Sequence, residues 1–447
     1  MKPGFEKHAY HSAPFWCILS FGPAFVLLFV VSAFGPGASE AGATQPLRSP
    51  HPVARVVELK ASDGTLLKAS YFAAAKPGPG VLLLHQFNRT RKSWDEVAAQ
   101  LAAAGIHTLT LDLRGYGESG GTPHEKLTPK ERAEARERRP DDIDTAWQYL
   151  TTQPGVNKDA IGLGGAGALG VDNSTEAARR HSSEVKSLAL LSGYTSLRGR
   201  QFIQQASQLP GLFVWADGDE YPPTAEVMEW LCDLSSSANK MFVRYVGQKA
   251  PWNGYESGDG LPPIGAHGTD LFKGHPELPH TIVDWFITTL IKAPGHAAIE
   301  TTTVAGQLSA PLLIQIDTPG GAAHAAHQLA EARRRDPKTQ LWPWVVLNVL
   351  GYDHLDAGET QLALEIFKLN VAAYPESADA YGGLSDAYLA DGQKDLARQA
   401  AEKTLALLDS NTNHSDNDLE NDTQARRKVV RDGALDNLKQ LAQTKTN

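Results

Sequence analysis

The sequence predicts an α/β protein with a doubly wound, mainly parallel sheet, followed by an α-helical module. Three observations carry that prediction. Between residues 55 and 292, short apolar runs alternate with helical patterns, the order that a parallel sheet with crossover helices requires. The runs GVLLLHQ, IHTLTLDL, AIGLGG and VKSLALL are largely apolar on both faces, so helices must cover both. The C-terminal third loses these runs and repeats a helical pattern instead.

The bulk properties agree. A chain of 447 residues is too long for one ordinary core. With 42% apolar and 21% charged residues it is globular in class. Its formal charge of −9 excludes a nucleic-acid surface, which needs a basic field.

At the N-terminus, Lys2 and Lys7 precede an apolar run from Phe15 to Phe34 and then the small residues GPGASEAGA. Basic, apolar, small is the order of an export signal, with Ala41 to Ala43 or Val31 to Ala33 as the cleavage site. Residues 1–43 are therefore assigned as a signal peptide or a retained N-terminal anchor, since about 20 apolar residues can span a bilayer. The expected location is periplasmic or secreted, free or membrane-anchored. Removing that segment leaves one thiol, Cys232, which cannot form an internal disulfide and sits in the helix-like VMEWLCDL as a core residue.

A Pro-rich linker over residues 44–54 leads into two strand patterns around Asp63-Gly64, a hairpin signal. Strands GVLLLHQ and IHTLTLDL then flank the helix SWDEVAAQLAAAG. The charge run from Lys130 to Arg139 reads as a solvated helix or loop and is given no chemistry. Helix DDIDTAWQYLTT, strand AIGLGG, helix NSTEAARRH, and strands VKSLALL and GLFVWAD follow. Helix AEVMEWLCDL, strand KMFVRYVG and helix PHTIVDWFITTLI complete the domain at residue 292. Residues 293–319 form a second linker, and residues 320–408 the helical module. Leu355 and Leu389, Gly358 and Gly392, and Ala363 and Ala397 recur at a period of 34. Residues 409–447 are polar linker and a capping helix from Ala434 to Gln443.

Two resemblances follow. The 34-residue period, with Tyr374-Pro375 closing the first copy, resembles tetratricopeptide repeats, which implies a surface for a protein or peptide partner. Two clear copies are too few to stand alone, so the module is expected to pack on the α/β domain or on another chain. LLLHQF after one strand, LDLRGYGESGG after the next, and GAHGTDLF near the end together resemble the α/β-hydrolase fold, in its dienelactone hydrolase branch. That resemblance covers about residues 55–292 and implies an ester hydrolase with a nucleophile on a sharp strand-to-helix turn, G-x-S-x-G.

In IGLGGAGALGVDN no serine stands at that turn. Counted back from Gly170, the serine slot holds Ala168; counted forward from the strand, it holds Gly167. Neither side chain can attack a carbonyl. The resemblance assigns His267 as general base and Asp219 as the acid that orients it, with Asp217 and Glu220 as rivals. It assigns the oxyanion hole to the amides of Gln86 and Leu169. His85, Ser174, Trp252 and Tyr255 are the remaining candidates for cleft or ligand contacts. Ser174, the nearest hydroxyl, is expected to cap or face the first helical turn rather than attack.

The same glycines spell G-x-G-x-x-G at Gly162, Gly164 and Gly167. No ribose-binding acid ends the following strand, because Glu184 precedes it, so no cofactor is expected. His324 and His327 lie one helical turn apart but lack a third ligand, so no metal is expected either. Losing the serine of a well-studied serine protease lowers turnover by roughly 10⁶. The leading expectation is therefore a pseudoenzyme with a binding or scaffold role and a small ester-like ligand. The alternative is a surviving carboxylic-ester hydrolase that uses His267 with water or Ser174.

Overall fold

The computed structural model describes residues 52–87, 89–127, 129–216, 219, 223–245, 267–292, 313, 315–342, 344–410 and 424–443. The export-signal segment 1–43, most of both linkers, Asp217, Glu220, Trp252 and Tyr255 lie outside the described residues. Among the described residues no helix is long and apolar enough to cross a membrane.

Eight strands form one sheet: β1 (Arg55–Lys60), β2 (Leu66–Phe72), β3 (Gly78–Leu84), β4 (His107–Leu111), β5 (Val156–Ala166), β6 (Val185–Leu191), β7 (Gly211–Ala216) and β8 (Lys240–Tyr245). Their order is β1-β2-β4-β3-β5-β6-β7-β8. The first two pair antiparallel across the Asp63-Gly64 turn, where Gly64 takes φ +87, and β2 pairs antiparallel with β4. Every later pairing is parallel. The strand order reverses between β3 and β5, and at such a switch point the carboxyl ends of the strands open a crevice.

Helices cover both faces, as the doubly apolar strands demand. On one face lie α1 (Asp95–Ala103) and, following the short α6 (Leu271–Gly274), α7 (Leu278–Ile287), around a core that includes Val81, Leu83, Trp94, Val214, Trp285 and Phe286. On the other lie α2 (Pro129–Thr151), α3 (Gly167–Arg180), α4 (Leu197–Gln205) and α5 (Pro223–Leu234), around Leu82, Leu109, Trp147, Leu163, Leu190 and Phe213. Burial pushes the Cys232 thiol up to about 12, so Cys232 is a core residue in the protonated form.

One reading that the sequence left open is decided: the charge run from Lys130 to Arg139, read as helix or loop, is helix, the first half of α2, which has 23 residues and continues past Pro140. Three elements differ from the sequence expectation. The C-terminal helix, expected from Ala434, begins at Gln424. Helix α3 begins at Gly167, six residues before the predicted Asn173. Helix α4 has no counterpart in the sequence reading, because it is polar and carries Gly199 near its start. That glycine lets the chain pass Thr195, whose Oγ1 lies 2.0 Å from where a β-carbon would stand.

The helical module comprises α8 (Gly321–Arg335), α9 (Trp344–Asp356), α10 (Thr360–Ala373), α11 (Ala378–Ala390), α12 (Lys394–Asp409) and α13 (Gln424–Gln443). The ends of α9 and α11 at Asp356 and Ala390, and the starts of α10 and α12 at Thr360 and Lys394, each recur after 34 residues. Gly358 and Gly392 turn both hairpins with φ +79 and +76. The module packs on the α/β domain through one apolar cluster that joins Val227, Trp230 and Leu234 of α5 to Ile316, Leu329, Trp342 and Leu347. A buried ion pair between Arg200 of α4 and Asp353 of α9 spans the same junction.

His354, beside that pair, is itself a clamp. One ring nitrogen donates to Glu359 at 2.7 Å and the other to Asp317 at 2.8 Å. Burial opposes its charge, but the two carboxylates outweigh burial and raise its pKa. Because the folded value stands above the unfolded one of about 6.5, this stabilisation is fully present below that pH and is lost as pH rises through the folded pKa. Urea midpoints are therefore expected to fall on going from pH 6 to alkaline buffer, by more in the wild type than in His354→Gln. Equal falls in the two proteins would refute the assignment.

Candidate active site

The carboxyl ends of β3, β5 and β7 converge. At the end of β5 the chain enters α3 through Gly167, which takes φ +61, the left-handed region that favours glycine. A β-carbon built on Gly167 would stand 3.1 Å from His267 Nε2. The bend residue is thus Gly167, the forward-counted frame. Ala168 is the second residue of α3. The amide that follows the bend is consequently that of Ala168 rather than Leu169. No side chain caps the first turn of α3, so its leading N–H groups remain turned toward the crevice with the positive end of the helix dipole.

His267 is 6% exposed and Asp219 2% exposed; His267 Nδ1 stands 2.9 Å from Asp219 Oδ1. This geometry lets Nδ1–H donate to the carboxylate and leaves Nε2 facing the bend, the arrangement of a general base held by its acid. The rivals Asp217 and Glu220, and the insert residues Trp252 and Tyr255, lie outside the described residues.

Gln86 sits between these parts. Its side-chain amide donates to the His267 carbonyl at 3.0 Å and accepts from Thr269 N–H at 2.7 Å and from the Thr269 hydroxyl at 3.1 Å. Arg89 adds an ion pair to the buried Asp270, with Nε at 3.1 Å from Oδ1. The loop after β3 therefore holds the His267 loop by side chains, a role that the sequence did not disclose. Thr269 and Asp270 stand next to His267 in AHGTD, but nothing in the motif names Gln86 as their partner.

His85 is not available to a ligand. Its ring is fully buried, with Nδ1 bonded to the Gln86 carbonyl at 2.8 Å and Nε2 accepting from Leu113 N–H at 3.1 Å. Burial lowers its pKa, which fits a neutral ring that fixes the β3 and β4 loops. Outward from it, the rings of Tyr116, Phe87 and His124 form an aromatic wall, with centroids 5.2 to 6.1 Å apart. Burial, with Arg139, Arg132 and Arg136 nearby, pushes His124 down to about 4.

Ser174 neither caps α3 nor reaches the bend. Seven residues beyond Gly167, it lies about 10 Å further along the helix. It is fully buried, and its Oγ is 2.6 Å from where a Gly165 β-carbon would stand, on the side of α3 that faces the sheet. His324 and His327 are exposed on α8, and among the described residues no group of three metal-ligating side chains occurs.

Residues 79–227 match the family described as alpha/beta hydrolase fold. The chain is 32% identical over 115 residues to the thiohydrolase aneE of Aspergillus aculeatus, covering 26% of this chain and 34% of that one. It is 34% identical over 110 residues to the acyltransferase drtE of Aspergillus calidoustus, covering 24% and 33%. It thus spans about a third of the length of the curated relatives it matches. Among solved structures it is similar to dienelactone hydrolase from Anabaena variabilis, with 17% identity, a TM-score of 0.39, and coverage of 54% of this chain and 99% of that one. From β1 to α7, then, this chain has the α/β-hydrolase fold, and a helical region follows it.

Proposed function

We propose that this protein is an exported, non-acylating descendant of an ester hydrolase that binds an acyl compound in the crevice and uses its helical module as a protein- or peptide-binding surface. The observation that carries the reading is the bend. A base and its acid face Gly167, which has no side chain, and Ser174 is turned away beneath α3. The activities named for the relatives, thiohydrolase and acyltransferase, make an acyl thioester or ester the first ligand class to try. Export rests on the order of residues in segment 1–43, and the partner surface on the 34-residue recurrence of helix pairs. The N-terminal mass of the purified protein tests the first, and capture of peptides by the full chain but not by a chain lacking α9–α12 tests the second.

Incubated with a fluorophosphonate or an activated ester, the full-length protein is expected to take up no covalent adduct while still binding a short-chain thioester in a saturable way. An adduct on any residue would refute the reading. A second reading is supported by the dyad itself: Nε2 faces the bend and is placed to take a proton from water. On that reading, weak hydrolysis without an adduct falls by about 10² to 10⁴ in His267→Ala.

A further inference from the structure

Gly167 is crowded by Gln86 as well as by His267. A β-carbon there would stand 2.6 Å from the Gln86 β-carbon and 3.4 Å from its α-carbon. Ordinary contact begins near 3.4 Å, so the Gln86 β-carbon would have to retreat by about 0.8 Å. It is poorly placed to do so, because the amide beyond it is 2% exposed and fully engaged with the His267 loop. On that loop, Gly268 takes φ +55, and a β-carbon there would meet Gln86 Oε1 at 2.0 Å. Gln86 is therefore wedged between two left-handed glycines.

We infer that Gln86 is the positioning residue that closes the bend to a nucleophile: its β-carbon occupies the room a serine would need, while its amide keeps His267 aligned without one. The inference deepens the proposed function and rests on its reading of Gly167 as the former nucleophile position. It explains two things together. The dyad stays ordered because Gln86, rather than a serine hydroxyl, ties the His267 loop in place. Restoring the hydroxyl alone cannot restore chemistry, because the introduced β-carbon and the clamp compete for one space.

The β-carbon makes the test sharp, since Gln86→Ala removes the amide but keeps the clash, whereas Gln86→Gly removes both. In the full chain, Gly167→Ser alone and Gly167→Ser with Gln86→Ala are expected to remain unreactive toward a fluorophosphonate. Gly167→Ser with Gln86→Gly is expected to label, because Asp219 and the new serine hydroxyl then hold the His267 ring in place of the amide: the hydroxyl oxygen bonds phosphorus, fluoride leaves, and the proton passes to His267 Nε2. Labelling of the single variant at the rate of the Gly double variant would overturn the inference, as would no labelling of a folded Gly double variant.

A thermal-midpoint cycle gives an answer that does not depend on reactivity. The loss caused by Gly167→Ala should persist in full in the Gln86→Ala background and shrink in the Gln86→Gly background to the backbone strain of a β-carbon at φ +61. A loss that is the same in both, or that vanishes with Gln86→Ala, refutes the clash. Labelling of the wild type itself would instead defeat the proposed function and leave the cycle standing.

Discussion

Asp112→Ala is expected to lower the unfolding free energy by about 3–5 kcal/mol, read as a shift of the urea midpoint at an unchanged slope. Asp112 follows β4 in LDLRG and is fully buried, as is Arg91 to within 1%. Its carboxylate accepts the Arg91 backbone N–H at 2.6 Å and the Glu118 N–H at 2.9 Å, and forms an ion pair with the Arg91 guanidinium. Alanine deletes all three acceptor contacts and leaves a buried cation with only Ser70 at 3.0 Å and the half-exposed Glu118 at 2.9 Å. An exposed pair would contribute no more than about 1 kcal/mol. Here the stranded charge dominates, because removing one partner of a buried pair leaves the other desolvated. Asp112→Asn keeps an acceptor for one backbone amide and should lose less. A midpoint change below about 1 kcal/mol for the alanine variant would show that Glu118 moves in to replace the lost carboxylate.

The same residue shows what the sequence disclosed and what it withheld. The central strands were legible because a strand covered on both faces is largely apolar, as β3, β6 and β7 are, and that pattern survives in one dimension. His267 was legible because AHGTD is local. The pairing of Arg91 with Asp112 was not, nor was the contact of Gln86 with a loop 181 residues away, since both depend on the sheet bringing distant loops together. The bend frame was uncertain by one residue for a different reason. In GGAGALG several glycines satisfy the spacing, and what separates them is which one takes φ above zero, a property of the finished turn. Gly170, from which the Ala168 frame is counted, serves contact instead: a β-carbon there would meet Leu84 O at 2.6 Å. Helix α4 escaped notice because its packing surface is small, with Leu197, Gly199, Arg200 and Ile203 as its buried residues.

Gly165→Ala is expected to destabilise the protein by about 3 kcal/mol, at the upper end of what overpacking does, against the sign that backbone entropy predicts. Replacing a strand glycine by alanine would ordinarily gain about 0.5–1 kcal/mol by restricting the unfolded chain. At Gly165 the new methyl would meet Gly170 O at 2.1 Å, Gly170 C at 2.3 Å and Ser174 Oγ at 2.6 Å. The first two are backbone atoms in the first turn of α3, so relief requires the whole helix to lift from β5. That lift carries Gly167 with it and separates the bend from His267, so affinity for the proposed acyl ligand should fall together with stability. Gly433→Ala is the internal control: it lies in α13 with no atom within 4 Å of the added carbon, and helix propensity alone predicts a gain of about 1 kcal/mol. If Gly165→Ala proved neutral, α3 would have slack against the sheet. The close approach that holds Gly167 beneath His267 would then not be imposed by the packing of β5 and α3.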